Sequence, residues 1–490
     1  MKCEPTETPE DIDIPAMRKK YAEERTRRLR KDGQQQYIRT EGAFAATYEA
    51  DPHAPVQARK PISEDLEVAI IGAGWSGLFA AYHLTQAGVR SFRNIDSAGD
   101  FGGVWYWNRY PGIQCDNDAY CYMPLLEETG YMPSKKYADG IEIQAHCRRI
   151  VDKYKLDENA LFHTLVRSAA WDEKIERWRI TTNRGDDIRA RYLIMAAGAL
   201  NRPKLPGIPG IERFKGHTFH TARWDYDYTG GSWSNPVLDK LADKRVAIVG
   251  TGASAIQIVP HLGRHAKQVY VVQRTPSTVD VRHNPPTDPT WVKSLKPGWQ
   301  KERQENFHNA AMQGMAPGAQ DLVCDFWTEL NRNMQARMDA LGWPELPIEK
   351  YMEMREVEDH RVMERLRRRV DAIVKDKETA EALKPYYNFL CKRPLSHGDF
   401  YDTFNRENVK LLDVSSTLGL ERMTETGIVA NGVEYEVDCV IFASGFEVSS
   451  ELQHRWAIEP FEGRDGLSIY DHWDEGYKTF HGMTTHGFPN

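Results

Sequence analysis

Residues 66–77 read LEVAIIGAGWSG, an apolar run that ends directly in three spaced glycines. A short apolar run bounded by glycine is typical of a buried parallel strand, and residues 78–84 predict a helix after it. Gly72, Gly74 and Gly77 therefore form the pattern G-x-G-x-x-G between a strand and a helix. In that context the glycines permit a tight turn, close approach of the backbone to a pyrophosphate and close packing of helix on strand. The stretch predicts a dinucleotide-binding turn in an α/β fold.

An acidic residue follows this turn at the spacing that a ribose-binding carboxylate has. Asp96 lies 19 residues after Gly77, at the end of the next predicted strand. A carboxylate in that place accepts hydrogen bonds from the two hydroxyls of an unmodified ribose. The first unit therefore predicts a site for the adenosine half of FAD or NAD.

A second unit of the same kind begins in the middle of the chain. Residues 245–249 predict a strand, Gly250, Gly252 and Ala255 form the turn, and residues 256–262 predict the following helix. The strand–turn–helix context occurs twice in this chain. This repetition argues against two glycine-rich turns that bind no ligand.

The two units differ at the position that contacts the ribose. Gly72 and Asp96 lie 24 positions apart, and so do Gly250 and Arg274, which Thr275 follows. A guanidinium at this position favours a 2′-phosphate and offers no acceptor to a free hydroxyl pair. The second unit therefore predicts an NADP site, and the pair predicts hydride transfer between NADPH and FAD.

The pattern of elements predicts an α/β fold with two Rossmann-like dinucleotide-binding domains and a helical insertion. Residues 192–196 and 440–443 are further apolar strands, residues 276–385 are largely helical, and residues 19–31 form a charged, solvated helix. The predicted domains are a polar extension (1–60), the FAD domain (61–204 and 438–490), the NADP domain (205–275 and 389–437) and the insertion (276–388).

Composition excludes several classes of protein. The chain has 490 residues, 41% hydrophobic and 28% charged, with a formal net charge of −7, which does not indicate a nucleic-acid surface. No apolar run approaches the length of about 18 residues that a membrane helix needs. The seven cysteines are scattered without a C-x-x-C pair, which argues against a disulfide framework, a zinc site and a redox dithiol and favours the cytoplasm.

Two longer motifs identify a family. Residues 102–116 read GGVWYWNRYPGIQCD, and residues 214–225 contain Phe214-x-Gly216-x-x-x-His220-x-x-x-Trp224-Asp225. Both match the fingerprints of the Baeyer–Villiger monooxygenases, class B flavoprotein monooxygenases, and the resemblance runs from about residue 61 to the end. The charged N-terminal extension and residues 228–231 resemble the branch with polycyclic ketone monooxygenases and fungal enzymes that tailor meroterpenoids.

The resemblance implies an activity and its partners. Such an enzyme uses FAD, NADPH and dioxygen to convert a ketone to an ester or lactone through a flavin peroxide. The branch implies a bulky or polycyclic ketone from terpenoid or meroterpenoid secondary metabolism. Since the peroxide and its ketone adduct are anionic, the chemistry requires a fixed cation, and arginine stays charged in a dry pocket.

Residue roles follow from the same resemblance. Residues 391–395, CKRPL, match the family's active-site arginine motif, so that Arg393 is the expected catalytic cation and Asp116 the acid that pairs with it. Lys392 is expected to join Arg274 and Thr275 on the 2′-phosphate. Gly103, Trp105 and Asp116 are expected at the cofactor, and His220 and Trp224 are expected to couple domain motion to the reaction.

Two alternatives remain at this stage. A flavin monooxygenase that oxidises nitrogen or sulfur shares both dinucleotide motifs, although residues 102–116 and the Lys392–Arg393 pair favour the ketone branch. A truncated, inactive remnant is the other alternative, because the sequence stops at residues 487–490 where the family continues into a flavin-contacting turn and a helical tail.

Overall fold

The computed structural model describes residues 3–38, 50–343 and 345–489. It contains two compact units, and each is assembled from three separate stretches of chain. The stretches are Met1–Gly33, Tyr110–Glu142 and Pro206–Ser444 in unit 1, and Gln34–Arg109, Ile143–Leu205 and Gly445–Asn490 in unit 2.

The strands in chain order are β1 (Tyr37–Ile38), β2 (Ser63–Ile71), β3 (Phe92–Ile95), β4 (Ala160–Leu161), β5 (Val166–Asp172), β6 (Arg177–Thr182), β7 (Asp187–Met195), β8 (Leu205–Pro206), β9 (His217–His220), β10 (Arg245–Val249), β11 (Gln268–Gln273), β12 (Val279–Asp280), β13 (Leu395–Ser396), β14 (Val409–Asp413), β15 (Arg422–Met423), β16 (Gly427–Ala430), β17 (Val433–Glu436), β18 (Cys439–Phe442) and β19 (Phe461–Glu462).

The α-helices in chain order are α1 (Ile14–Arg28), α2 (Trp75–Gln86), α3 (Val104–Trp107), α4 (Ala119–Tyr122), α5 (Leu126–Thr129), α6 (Gly140–Tyr154), α7 (Tyr226–Thr229), α8 (Ala253–His265), α9 (Pro289–Ser294), α10 (Trp299–His308), α11 (Glu329–Leu341), α12 (Ile348–Ile373), α13 (Lys377–Leu383), α14 (Leu452–Trp456) and α15 (Ile469–His472).

Unit 2 is built on a seven-stranded sheet in the order β19-β5-β6-β7-β2-β3-β4. The strand of the first glycine motif, β2, is parallel to β3 and β7 on its two sides. Trp178 is fully buried in the core of this unit and stacks on Phe488 with ring centroids 6.5 Å apart. Its indole N–H donates to the carbonyl oxygen of Pro489 at 2.7 Å, so residues near the end of the described chain complete this core.

Unit 1 contains a parallel five-stranded sheet in the order β14-β11-β10-β18-β9. Its central strand β10 has the predicted bounds, Arg245–Val249, because a run of buried aliphatic residues ends at the glycine turn. The predicted helical insertion is observed as α9 to α13, between Pro289 and Leu383. A short parallel pair, β12 with β13, brackets it.

Two stretches lie in a different unit from the one that the resemblance suggests. Residues 110–142, placed within 61–204 by the sequence, belong to unit 1. The strand β18, expected to return to the FAD domain at residue 438, instead pairs with β10 and β9 in the sheet of unit 1. Every residue of β18 is buried, so its apolar pattern fits either sheet and cannot select between them.

The N-terminal region differs from a simple solvated helix. The helix α1 begins at Ile14 and buries Tyr21 and Glu24. The Tyr21 hydroxyl accepts a hydrogen bond from Arg367 at 3.0 Å, and Arg367 is itself only 3% exposed. The expectation of a solvated helix over residues 19–31 is therefore wrong at Tyr21 and Glu24, because Tyr21 contacts the buried Arg367.

One disulfide is present that the sequence did not predict. Cys3 and Cys324 form a disulfide across 321 positions of sequence, although the scattered cysteines argue against a disulfide framework. Distant cysteines carry no sequence signal of their spatial proximity. Among the described helices, none combines the length and apolarity that crossing a membrane requires.

Candidate functional site

The first glycine-rich turn joins β2 to α2 in unit 2, and side chains would not fit at Gly72 and Gly77. Gly72 has φ of +116°, and a Cβ there would collide with the carbonyl oxygen of Ala196. A Cβ on Gly77 would collide with the carbonyl oxygen of Gly72. Gly74 is the N-cap of α2 and provides no side-chain cap, which leaves the first backbone N–H groups for an anionic ligand.

Two neighbours hold this turn in place. The buried Asn94 on β3 donates its amide N–H groups to the carbonyl oxygens of Gly72 and Gly77, each at 3.1 Å. Gly103 has φ of +55°, and a Cβ on it would lie 2.7 Å from the Cα of Gly74. The loop before α3 thus lies directly against the glycine turn. Sequence reasoning missed Asn94, although a polar residue in a short buried strand indicates a side chain that hydrogen-bonds neighbouring backbone.

Asp96 follows β3 at the mouth of the turn. One carboxylate oxygen accepts the N–H of Ala73 at 2.6 Å, and the other accepts the N–H of Ala98 at 2.8 Å. Burial raises the pKa of Asp96, and these N–H groups oppose that rise. Each carboxylate oxygen has a second lone pair, so the group can still accept a hydroxyl. Trp105, on α3, is buried. Together with the uncapped helix N-terminus, this set fits an adenine dinucleotide.

The second glycine-rich turn joins β10 to α8 in unit 1. Gly250 has φ of +115°, and a Cβ on it would lie 2.6 Å from the carbonyl oxygen of Ala443. A Cβ on Gly252, the N-cap of α8, would meet no atom within 4 Å. Ala255 is fully buried in the first turn of the helix. The space at Gly252 lies at an uncapped helix N-terminus, which fits a ligand's phosphate.

Positively charged residues lie close together at the end of β11, beside this turn. The Lys392 ammonium donates to the carbonyl oxygens of Thr275 and Pro276 at 3.2 and 3.3 Å. Arg274 directly precedes Thr275. Burial lowers the pKa of Lys392 to about 8, and the charges of Arg274 and Arg28 add to that effect. Positive charge from Lys392, Arg274 and Arg28 at the end of β11 fits a 2′-phosphate.

The short sheet pair positions Lys392 at this cluster. The strands β12 and β13 align Val279 with Leu395, and the N–H of Leu395 donates to the carbonyl oxygen of Thr278 at 3.1 Å. This pairing brings the CKRPL segment beside the residues that follow Arg274, across more than 110 positions of sequence. Arg274, Thr275 and Lys392, predicted as one set, therefore come together.

Arg393 and Asp116 form a two-pronged ion pair in unit 1. The Arg393 Nε and Nη2 groups donate to separate oxygens of Asp116, at 2.7 and 2.5 Å. The Asp116 side chain is 12% exposed, whereas that of Arg393 is 51% exposed. The carboxylate raises the pKa of Arg393. A bidentate pair fixes the plane of the guanidinium, and about half of the Arg393 side-chain surface stays accessible.

Trp327 supports this pair from the helical insertion and was not found by sequence reasoning. Its indole N–H donates to the backbone carbonyl oxygen of Asp116 at 2.8 Å. Its ring lies 4.9 Å from the Arg393 guanidinium carbon, within the range of a cation–π contact. No sequence motif indicates this role, because Trp327 and Asp116 are 211 positions apart.

His220 and Trp224 are both buried in the segment after β9. The Nδ1 atom of His220 accepts the N–H of Ala222 at 3.1 Å and caps a short 3-10 helix. The indole N–H of Trp224 donates to the hydroxyl of Thr229 at 3.1 Å. These contacts order the segment 217–229, and a part in coupling remains a prediction.

Several known proteins resemble this chain in sequence and in fold. Residues 69–323 match the family described as pyridine nucleotide-disulphide oxidoreductase. Neopentalenolactone D synthase of Streptomyces avermitilis is 50% identical over 482 residues, which cover 98% of this chain and 80% of that protein. Baeyer–Villiger monooxygenase ATR8 of Stachybotrys chlorohalonatus is 46% identical over 480 residues, covering 98% of this chain and 76% of that protein.

A solved structure agrees with these relatives. The polycyclic ketone monooxygenase of Thermothelomyces thermophila superposes with a TM-score of 0.88 at 37% identity, over 98% of this chain and 80% of that one. The predicted fold class and the predicted family are thereby confirmed, and an enzyme that oxidises nitrogen or sulfur is not favoured. The chain belongs to the pyridine nucleotide-disulphide oxidoreductase family and, within it, to the Baeyer–Villiger monooxygenases, flavoenzymes that insert one oxygen atom beside a ketone carbonyl.

Proposed function

We propose that this chain uses FAD, NADPH and dioxygen to convert a bulky or polycyclic ketone to an ester or lactone. The Arg393–Asp116 ion pair carries the proposal, because it holds a partly exposed cation directly after Lys392 in the sequence. Relatives named for a polycyclic ketone and for neopentalenolactone support a large substrate from secondary metabolism. Nucleic acid has no place in this function, and a cytoplasmic location remains a prediction.

The cofactors would be held by the two glycine turns. The residues proposed for FAD are Gly72, Gly74, Gly77, Asp96, Gly103 and Trp105, and Asp116 is proposed as a further cofactor residue. Those proposed for NADPH are Gly250, Gly252, Ala255, Arg274, Thr275 and Lys392. When bound, the flavin supplies the redox chemistry that activates dioxygen with electrons from NADPH.

Arg393 supplies the charge that the oxygenation needs. Attack on a ketone carbon places negative charge on the carbonyl oxygen, and a fixed cation stabilises that charge. A guanidinium remains protonated throughout the physiological range. Asp116 and Trp327 keep it in one orientation, so little reorganisation accompanies the reaction. His220 and Trp224 would couple the reductive and oxidative halves by ordering the segment 217–229.

The test of this function is product analysis. Purified protein is incubated with FAD, NADPH, dioxygen and ketones that range from small rings to fused terpenoids, with a sulfide in parallel. Products of the ketone mass plus one oxygen, identified as esters or lactones and formed most readily from fused rings, are expected. Sulfoxide without any ester would support heteroatom oxidation, and a colourless protein that FAD cannot restore would support the inactive remnant.

Replacement of Trp327 by phenylalanine tests the support of the ion pair. The indole N–H bond to Asp116 is lost while an aromatic ring remains, and a hydrogen bond of this kind contributes about 1 kcal/mol. We expect ketone oxygenation to slow roughly fivefold, with flavin reduction by NADPH unchanged in stopped-flow measurements. Trp343→Phe is the matched control, since that indole N–H bonds Asp339 instead. Equal effects of the two changes would contradict a positioning role for Trp327.

The lowered pKa of Lys392 predicts a pH dependence of coenzyme selectivity. Lys392 is protonated below its pKa of about 8 and loses the proton above it. A bound phosphate favours the charged form, so affinity for the 2′-phosphate is full below pH 8 and falls as the pH rises above that value. The KM for NADPH should rise between pH 8 and 10 while the KM for NADH stays constant. Parallel profiles for the two coenzymes would show that Lys392 does not contact the phosphate.

A further inference from the structure

The N-terminal helix α1 docks on unit 1 through contacts along most of its length. Asp13 caps it by accepting the N–H of Ala16 at 3.0 Å. Arg18 pairs with Glu356 on α12 at 2.6 Å, and Tyr21 bonds Arg367 on the same helix. These contacts fix where the C-terminal end of α1 lies.

That end reaches the proposed NADPH site. The Nε group of Arg28, the last residue of α1, donates to the backbone carbonyl oxygen of Arg274 at 3.0 Å. The two residues are 246 positions apart in the sequence. The Arg28 side chain is 14% exposed and is held on its other side by Glu24. Arg28 is therefore a fixed, mostly buried cation bonded to the residue that distinguishes the two glycine units.

Cations outnumber carboxylates around Arg28 and Arg274. Glu24 also lies 3.0 Å from the Lys20 ammonium and 3.9 Å from the Arg27 guanidinium, so three cations of α1 contact it. Arg27 has a second carboxylate, Asp413, at 3.5 Å. The pKa of Asp32 is lowered by its pairing with Arg30 and further by the charge of Arg274. The field of Arg28, with that of Arg274, adds to the effect of burial on the Lys392 pKa. Arg28, Arg274 and Lys392 thus lie within one electrostatic neighbourhood. Such a grouping is stabilised by a dianionic ligand.

We propose that Arg28 determines coenzyme specificity together with Arg274 and Lys392, by holding the Arg274 backbone and adding positive charge for the 2′-phosphate of NADPH. The N-terminal helix is then a functional part of the coenzyme site rather than a surface extension. This inference rests on the proposed use of NADPH. It concerns a residue outside both glycine motifs and outside the CKRPL segment.

Binding of two nucleotides tests this proposal without any turnover. Calorimetry measures the affinity of the full chain for adenosine 2′,5′-bisphosphate and for adenosine 5′-monophosphate, which lacks the 2′-phosphate. Arg28→Gln should weaken binding of the bisphosphate about fivefold or more, as removal of one nearby charge at partial burial implies. The same variant should leave binding of the monophosphate within twofold of the wild type. Arg25→Gln, an exposed arginine in the same last turn, is the matched control and should change neither.

The outcomes separate this inference from the proposed function. An unchanged bisphosphate affinity in Arg28→Gln, or equal losses for both nucleotides, overturns the role of Arg28. A loss confined to the bisphosphate, with the melting temperature retained, supports it, because a merely structural role would not single out the 2′-phosphate. A wild-type chain that binds both nucleotides equally and is insensitive to Arg274→Ala would refute the NADPH site itself.

Discussion

Arg393→Ala is expected to abolish oxygenation of the ketone while reduction of the flavin by NADPH continues. The variant keeps Lys392 and both glycine turns, so coenzyme binding should persist. Loss of a preorganised charge that stabilises a developing oxyanion costs on the order of 10²–10³-fold in rate. NADPH should then be consumed without ester formation, with hydrogen peroxide as the product of dioxygen. Parallel assays of NADPH absorbance, peroxide and ester by mass spectrometry make the measurement.

The control for this variant is Arg213→Ala, which removes an arginine of unit 1 whose side chain is 76% exposed. Asp116→Asn supplies a graded comparison, since it leaves the guanidinium present and removes its anionic partner. We expect a smaller loss of ester formation in Asp116→Asn than in Arg393→Ala. Ester formation at the wild-type rate in Arg393→Ala would exclude Arg393 as the catalytic cation.

Arg274→Ala is expected to weaken NADPH far more than NADH. A guanidinium that contacts a 2′-phosphate contributes a charge-assisted interaction of about 1–3 kcal/mol, or roughly 5- to 150-fold in the KM for NADPH. NADH lacks that phosphate, so its KM should change little. The preference for NADPH should fall accordingly, as measured from the initial rate of flavin reduction with each coenzyme under anaerobic conditions.

The same exposed arginine, Arg213, provides the control for this change. A double variant with Lys392→Ala extends the test, because two cations on one phosphate should show coupled rather than additive losses. An equal loss for NADPH and NADH in Arg274→Ala would assign Arg274 to folding of the turn instead of recognition of the phosphate.

Much of the fold was predictable because its signals are local. The strand β10 was predicted to the residue, and β2 and α2 to within a few residues, since an apolar run that meets a glycine turn leaves few alternatives. The positive φ values of Gly72 and Gly250 agree with the requirement for glycine at those turns. The helical insertion was predicted from the loss of strand patterns between residues 276 and 385.

The sheet to which a buried strand belongs was less predictable. The strand β18 is apolar on both faces, so its sequence is compatible with the sheet of either unit. The structure places it beside β10. The stretch 110–142 likewise carries a family motif but no local signal of the unit that it joins.

The sequence by itself predicted the two dinucleotide turns and the exchange of Asp96 for Arg274 between them, because glycine geometry and charge at fixed spacings are specified by neighbours in the chain. Arg393 and Lys392 were singled out by the family resemblance of the CKRPL segment, and their roles stay a prediction. Only the tertiary structure decided that Trp327 supports Asp116 and that Arg28 bonds Arg274. Those contacts join residues 211 and 246 positions apart, and their formation depends on how helices pack rather than on any periodicity of the chain.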